Sequence, residues 1–336
     1  MRYLPILRFI ALLSFLLLAA CDAVPSPNDL PTAAVAIPSA TLPPAATAAP
    51  SASPSPQPTE TPTAGQEVLR DPTPANTAAP TVSAAPTNTP APLVWQDLPV
   101  IPVLSARARQ VYQAGLAKGS NPHVFAKAGD CETITDWFLN DFDRGPRFYS
   151  LGPYQDLQQS VIDYFKGSFG RSSLAARRGF NAAALLSVFW SDAAQCKPDE
   201  TPLACEFRLT RPSLVLIMVG TNDVPHKASF EANLRKVIQF SLEQDVLPVL
   251  VTKADNLEGD NSINATIASL AQEYGLPLWN FWRAVQSLPN AGLVADGAHL
   301  TYATNFFDDP EKMKSAWPWR NLTALQVLDA ILKGVK

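Results

Sequence analysis

Past its first third, the chain alternates between short runs that are apolar throughout and longer stretches whose apolar residues recur at helical spacing. Residues 214–219 are six apolar residues in a row, bounded by Pro212 and Gly220, and residues 246–251 form a second run with Pro248 inside it. Short runs with such flanks read as strands buried on both faces. Residues 124–128 and 277–281 read as two more. Pro248 lacks a ladder donor, so its strand should be shifted by a residue or lie near a sheet margin. Helical spacing predicts helices over 105–118, 156–165, 181–188, 228–243, 263–274 and 321–332. The third opens on the capping residue Asn181 just after Gly179, and the fifth ends at Gly275. Apolar strands alternating with helices predict an α/β three-layer sandwich, with a mainly parallel sheet and helices on both faces. Ligands then sit beyond the carboxyl ends of the strands.

The first 93 residues have no such pattern. Arg2 and Arg8 give a positive start, residues 9–18 are an apolar run broken only by Ser14, and Leu18-Ala19-Ala20-Cys21 closes it. This fits a signal peptide over 1–20. With Cys at the end it resembles a bacterial lipoprotein signal, which implies that Cys21 is acylated on sulfur and becomes the new N-terminus. The apolar run is too short for a retained membrane helix, and no later run approaches the roughly 20 residues that cross a bilayer. Of the 32 prolines, 17 fall between Asp22 and Leu93, where only six residues are charged. That Ala/Pro/Thr/Ser composition offers too little large apolar surface to offset the entropy of folding. Residues 21–93 are therefore expected to be the lipidated Cys and a disordered linker. A flexible coil of this length would average roughly 50 Å end to end. Residues 94–336 form the folded domain.

The net charge of −4, with no long Lys/Arg run, argues against nucleic acid as a partner. Four cysteines are present. Cys196 and Cys205 flank a short polar loop with two prolines, and in an exported chain they are expected to form a disulfide; the alternative is two reduced, buried thiols. No third and fourth ligand stand at a metal-binding spacing, and no cofactor is expected. This leaves Cys131 odd, a candidate reactive thiol.

The residues at the carboxyl ends of the predicted strands carry the chemistry. Gly129-Asp130-Cys131 follows the first, Gly220-Thr221-Asn222-Asp223 follows the 214–219 strand, and Asp296-Gly297-Ala298-His299-Leu300 follows the last. Together, and in this order over residues 120–336, these blocks resemble the SGNH/GDSL hydrolase family, which has a Gly-Asp-Ser turn, a second-loop Gly, Gly-x-Asn-Asp and a late Asp-x-x-His. The resemblance implies a flavodoxin-like three-layer sandwich. It implies His299 as the base and Asp296, three residues earlier, as the group that fixes its tautomer. It further implies an oxyanion hole made of the backbone N–H groups of Cys131 and Gly179 and the amide of Asn222.

The chain departs from the family at the nucleophile, where Cys131 stands for Ser. A thiol is more acidic than a hydroxyl and forms a thioester, but sulfur is larger, and a misplacement of about 1 Å can cost on the order of 10²-fold. Three readings of Cys131 follow: a working nucleophile, a relic in a domain that only binds, or a structural or redox thiol. His226 is a rival base with no acid at a matching offset. His123 and the turn residue Asp130 read as structural. Trp279, Trp282, Trp317 and Trp319 read mainly as core or surface packing; the alternative for Trp317 and Trp319, which flank Pro318 in an expected loop, is stacking on a sugar ring. The expected function is an envelope-anchored hydrolase of carboxylic or sugar acyl esters, facing the extracellular or periplasmic side and held to the membrane through Cys21. The alternative is an inactive surface module that binds a glycan or small ligand.

Overall fold

The apolar runs form the centre of a parallel sheet. The computed structural model describes residues 94–336, so the expected leader, Cys21 and the linker lie outside the described residues. The strands are β1 (Asn121–Gly129), β2 (Tyr149–Ser150), β3 (Pro212–Met218), β4 (Leu247–Val251), β5 (Leu278–Trp279) and β6 (Asn305–Phe306). The α-helices are α1 (Ala106–Ala117), α2 (Cys131–Ile134), α3 (Asn140–Arg144), α4 (Pro202–Thr210), α5 (Lys227–Glu243), α6 (Ser262–Tyr274), α7 (Phe281–Val285) and α8 (Ala316–Val335). The main sheet runs β1-β3-β4-β5, every pair parallel. All residues of β3 and β4 are buried, which requires cover on both faces. A separate parallel pair, β2 with β6, braces the segment that follows His299.

One further strand is reduced to a single residue. Ala176 makes an isolated parallel bridge to Gly129: the Gly129 N–H donates to Ala175 O at 3.0 Å, and the Arg177 N–H donates to Gly129 O at 3.0 Å. Counting it, the order becomes that of a flavodoxin-like sheet, with the second strand outside the first.

Pro248 pairs with Val215 on one side. On the other side, the Leu250 and Thr252 N–H groups donate to Pro277 O and Trp279 O. The nitrogen of Pro248 faces that same side, two residues before β5 begins. The strand is internal, yet its proline sits where the neighbour is missing, so the expected margin is local.

Three helix expectations need correction. Residues 181–188 form no α-helix but two short 3₁₀ turns, Ala184–Leu186 and Val188–Trp190. Asn181 does cap, accepting from the Ala184 N–H at 2.9 Å, but the neighbouring Ala182 N–H is taken by the buried Asp223 carboxylate. A segment this short does not hold a helix against such a competitor. Around Gln158–Ile162 the predicted helix widens into a π turn closed by the Asp163 N–H on Gln158 O. The last helix starts at Ala316, five residues early. Pro318 lies in its first turn, where no N–H is needed. Trp317 is therefore buried in a helix, and the Trp319 ring N–H donates to Met313 O, so neither offers a loop ring to a sugar. Trp279 is fully buried, and Trp282 packs edge-on against Trp95.

Cys196 and Cys205 are joined, tying the loop before α4 to its first turn. Closing so small a loop is worth about 2–3 kcal/mol. Reduction is expected to lower the thermal midpoint by several degrees in a melt with and without reductant; an unchanged midpoint would contradict this.

Candidate active site

The nucleophile turn is built by close approach of backbones. Gly129 ends β1, and a Cβ there would lie 2.2 Å from Met218 O and 2.5 Å from Thr133 Oγ1. No other residue fits. Asp130 then caps α2: its Oδ1 accepts from the Glu132 N–H at 3.1 Å, and its carbonyl accepts from Thr133 and Ile134. Cys131 is the first residue of that helix, half-buried and unpaired.

The spacing Asp296-x-x-His299 also acts locally. Asp296 Oδ1 accepts from the N–H groups of Ala298 (2.9 Å) and His299 (3.0 Å), folding the loop back on itself. Asp296 Oδ2 then meets His299 Nδ1 at 2.7 Å. With the proton on Nδ1, the other nitrogen is free to accept one. That nitrogen, Nε2, lies 3.7 Å from Cys131 Sγ. The local spacing pairs Asp296 with His299, and the fold brings Cys131 to the other side of the ring.

Asn222 and Gly179 also converge. The Asn222 amide donates to Phe180 O at 3.0 Å, tying the loop after β3 to the loop that holds Gly179. One amide proton is so engaged, and the second is available to a ligand. Gly179 has φ +83°, in the left-handed region that favours glycine. Among the described residues, neither the Cys131 N–H nor the Gly179 N–H donates to a protein acceptor. His226 is exposed, and among the described residues no side-chain hydrogen bond orients its ring. His123 bonds Tyr164 O and packs on the Tyr164 ring.

Charges set the protonation states. The His299 N–H, then the Ala298 N–H and the His299 ring, hold the Asp296 carboxyl down to about 2. The bond to Asp296 raises His299 above its ordinary value. Burial raises the Cys131 thiol, with the Asp130 and Glu132 charges adding to it. The sulfur is therefore a neutral thiol that needs a base, not a standing thiolate.

Three features were not read from the sequence. Glu132, next to the nucleophile, accepts the Leu300 N–H at 2.8 Å and faces the Arg320 guanidinium at 3.6 Å. Arg320 is buried in α8, its guanidinium over the rings of Phe138, Phe281 and Trp317. Asp223, buried, holds the Ala182 N–H. Lys253, also buried, pairs with Asp255 at 2.6 Å, and Asp255 accepts from Thr221 at 2.7 Å, joining the loops after β3 and β4. Asp130, Glu132, Thr221, Asp255 and Arg320 line a cavity of about 20 Å³, room for one water. The one gathering of metal-type donors among the described residues is Cys196, Glu200 and Cys205, whose sulfurs are bonded to each other.

Burial is the main cause that raises Asp130 to about 6, Glu132 to about 7 and Asp223 to about 6. For Glu132 it outweighs Arg320. Each acid is held above its unfolded value, so the stability it contributes is full below about pH 4 and is lost as pH rises through 6 to 7. The thermal midpoint should fall between about pH 5 and about pH 8. A midpoint that rises over that range would contradict the assignment.

The fold and this constellation define a thiol–imidazole–carboxylate site at the carboxyl edge of a parallel α/β sheet. No protein-family model matches the chain, and no curated protein matches it. Among solved structures it is similar to a GDSL-like lipase from Bacteroides thetaiotaomicron, at 15% identity over 62% of this chain and 93% of that one, with a TM-score of 0.33. At that level the likeness assigns no role to any residue.

Proposed function

We propose that the protein is an envelope-anchored hydrolase that cleaves carboxylic esters through an acyl-Cys131 intermediate, with Cys21 as its membrane anchor. The observation that carries this is the line from Cys131 Sγ to His299 Nε2 at 3.7 Å and from His299 Nδ1 to Asp296 at 2.7 Å. Sγ attacks the ester carbonyl while its proton passes to His299 Nε2. Asp296 stabilises the imidazolium. The developing oxyanion is met by the N–H groups of Cys131 and Gly179 and by the free amide proton of Asn222. The alkoxide leaves with the proton from His299, forming a thioester. Water, deprotonated by the same nitrogen, attacks the thioester, and the thiol is restored. Acylated glycans at the cell surface are a substrate class that suits the location.

The test is chromophore release from short-chain aryl esters by wild type, Cys131→Ser and His299→Ala. Activity in wild type that His299→Ala removes supports the reading. The raised thiol favours a second reading, a binding module with a disabled nucleophile. It would be supported by an inert wild type that gains activity in Cys131→Ser.

The pH profile follows from His299. The base must be neutral, and its pKa is raised above the ordinary 6.5. The acid limb of kcat/KM therefore lies above that value. In Asp296→Asn the limb should move down, while kcat falls on the order of 10³-fold through loss of the correct tautomer. A limb that stays in place would contradict the pairing.

A further inference from the structure

The thiol–imidazole pair lies open to solvent. His299 and Asp296 are exposed, Cys131 is half-buried, and the cavity beside them has room for one water. Exposed apolar side chains stand on the loops that carry the site: Val294 donates its N–H to His299 O, and Trp190 packs beside the Gly179 loop. Ten large apolar side chains are exposed among the described residues. Seven of these stand on connections that follow the carboxyl ends of the sheet strands: Trp137, the run Val188-Phe189-Trp190, Leu257, Val294 and Tyr302. An eighth, Val94, begins the described chain. Phe189, at the tip of a turn, is 81% exposed. Trp190 packs on Phe180, the neighbour of Gly179, and the Arg177 guanidinium lies over its ring. Arg177 and Arg178 are exposed and form no ion pair among the described residues. Apolar exposure concentrated at one edge, rimmed by polar groups, marks an interaction surface. Trp, Tyr and Phe tips with adjacent Arg are what inserts at a lipid headgroup boundary. The exposed rings do pair, Trp137 with Tyr302 at 4.7 Å and Phe189 with Trp190 at 5.1 Å, but Val188, Leu257 and Val294 on the same loops add aliphatic surface with no polar group for a sugar.

The chain enters at this same edge. Asn280, directly after β5, donates from its amide to Trp95 O at 3.1 Å and Leu98 O at 3.0 Å. From there the chain runs to the opposite edge, where the Ser105 hydroxyl bonds Gly275 O just ahead of β5. The described chain thus begins at the carboxyl edge of the sheet, and 93 residues precede Val94 in the sequence.

We infer that the apolar rim docks on a lipid bilayer surface, laying the Cys131–His299 site against esters presented there. The membrane attachment rests on the reading of Cys21 given above; the docking itself needs neither hydrolysis nor the thiol.

Docking is read from tryptophan emission of the full-length protein in phosphatidylcholine/phosphatidylglycerol vesicles at excess lipid, with plain or acyl-brominated lipid. All seven tryptophans lie at residue 95 or later, so the signal reports the folded domain. Brominated lipid is expected to quench emission by roughly the share of the two exposed residues, Trp137 and Trp190, equally in wild type and Cys131→Ala. Phe189→Asp combined with Leu257→Asp, both exposed and outside the core, should remove most of the quenching. Equal emission in the two lipids overturns the docking, as does quenching that the double variant leaves unchanged. So does a soluble acetylated xylo-oligosaccharide shifting the emission where lipid does not. Flotation of the Phe189→Asp/Leu257→Asp variant with the vesicles reports the Cys21 anchor, and aryl-ester turnover reports the hydrolase, so each reading fails on its own measurement.

Discussion

Replacing Cys131 by Ala is expected to lower kcat/KM for a short aryl ester by on the order of 10³-fold or more, with folding unchanged. The side chain is half-buried and forms no disulfide, and the turn that holds it is made by Gly129 and Asp130. Cys131→Ser tests the geometry further. The sulfur stands 3.7 Å from His299 Nε2. A C–O bond is shorter than a C–S bond, so a serine hydroxyl on the same backbone would sit farther from the base. A hydroxyl also depends on that base more completely than a thiol does. The Ser variant should retain about a hundredth of the activity or less. Full activity in Cys131→Ser would mean that the site is shaped for oxygen.

Glu132→Ala is the second large effect. Its carboxylate spans three parts of the site: it follows the nucleophile, holds the backbone of Leu300 beside His299, and faces Arg320 on α8. Without it the direct tie between the nucleophile helix and the backbone beside the base is lost, and Arg320 keeps only Asp130 as a neighbouring carboxylate. A loss of about 10² in kcat with little change in KM is expected. A stability loss of about 3 kcal/mol should accompany it, read by denaturant unfolding. Glu132→Gln keeps an acceptor for the Leu300 N–H and should recover much of the kcat. If Gln and Ala behave alike, charge rather than positioning is what Glu132 supplies.

The legible parts of the fold were those with a period or a local device. Strands β3 and β4 announced themselves as uninterrupted apolar runs, and α6 by its spacing and the Gly275 stop. The strand at Ala176 did not, because a single bridged residue has no pattern. The helix expected from Asn181 failed although its cap formed, since the competing Asp223 carboxylate is distant in sequence. At the site, Asp296 and His299 were legible because three residues suffice to close the loop. Glu132 and Arg320 were not, for a charged letter carries no sign of burial. The one available signal was an Arg set among the apolar positions of α8, at Trp317, Leu322, Ala324 and Leu328.

The most direct test of the account is a covalent one. The full-length protein is mixed with an aryl acetate, quenched in acid within a turnover, and digested without reductant, and the peptide bearing Cys131 is weighed. The account predicts an acetyl group on Cys131, released by hydroxylamine, formed far more slowly in His299→Ala. Turnover of the ester with Cys131 never acylated would contradict it.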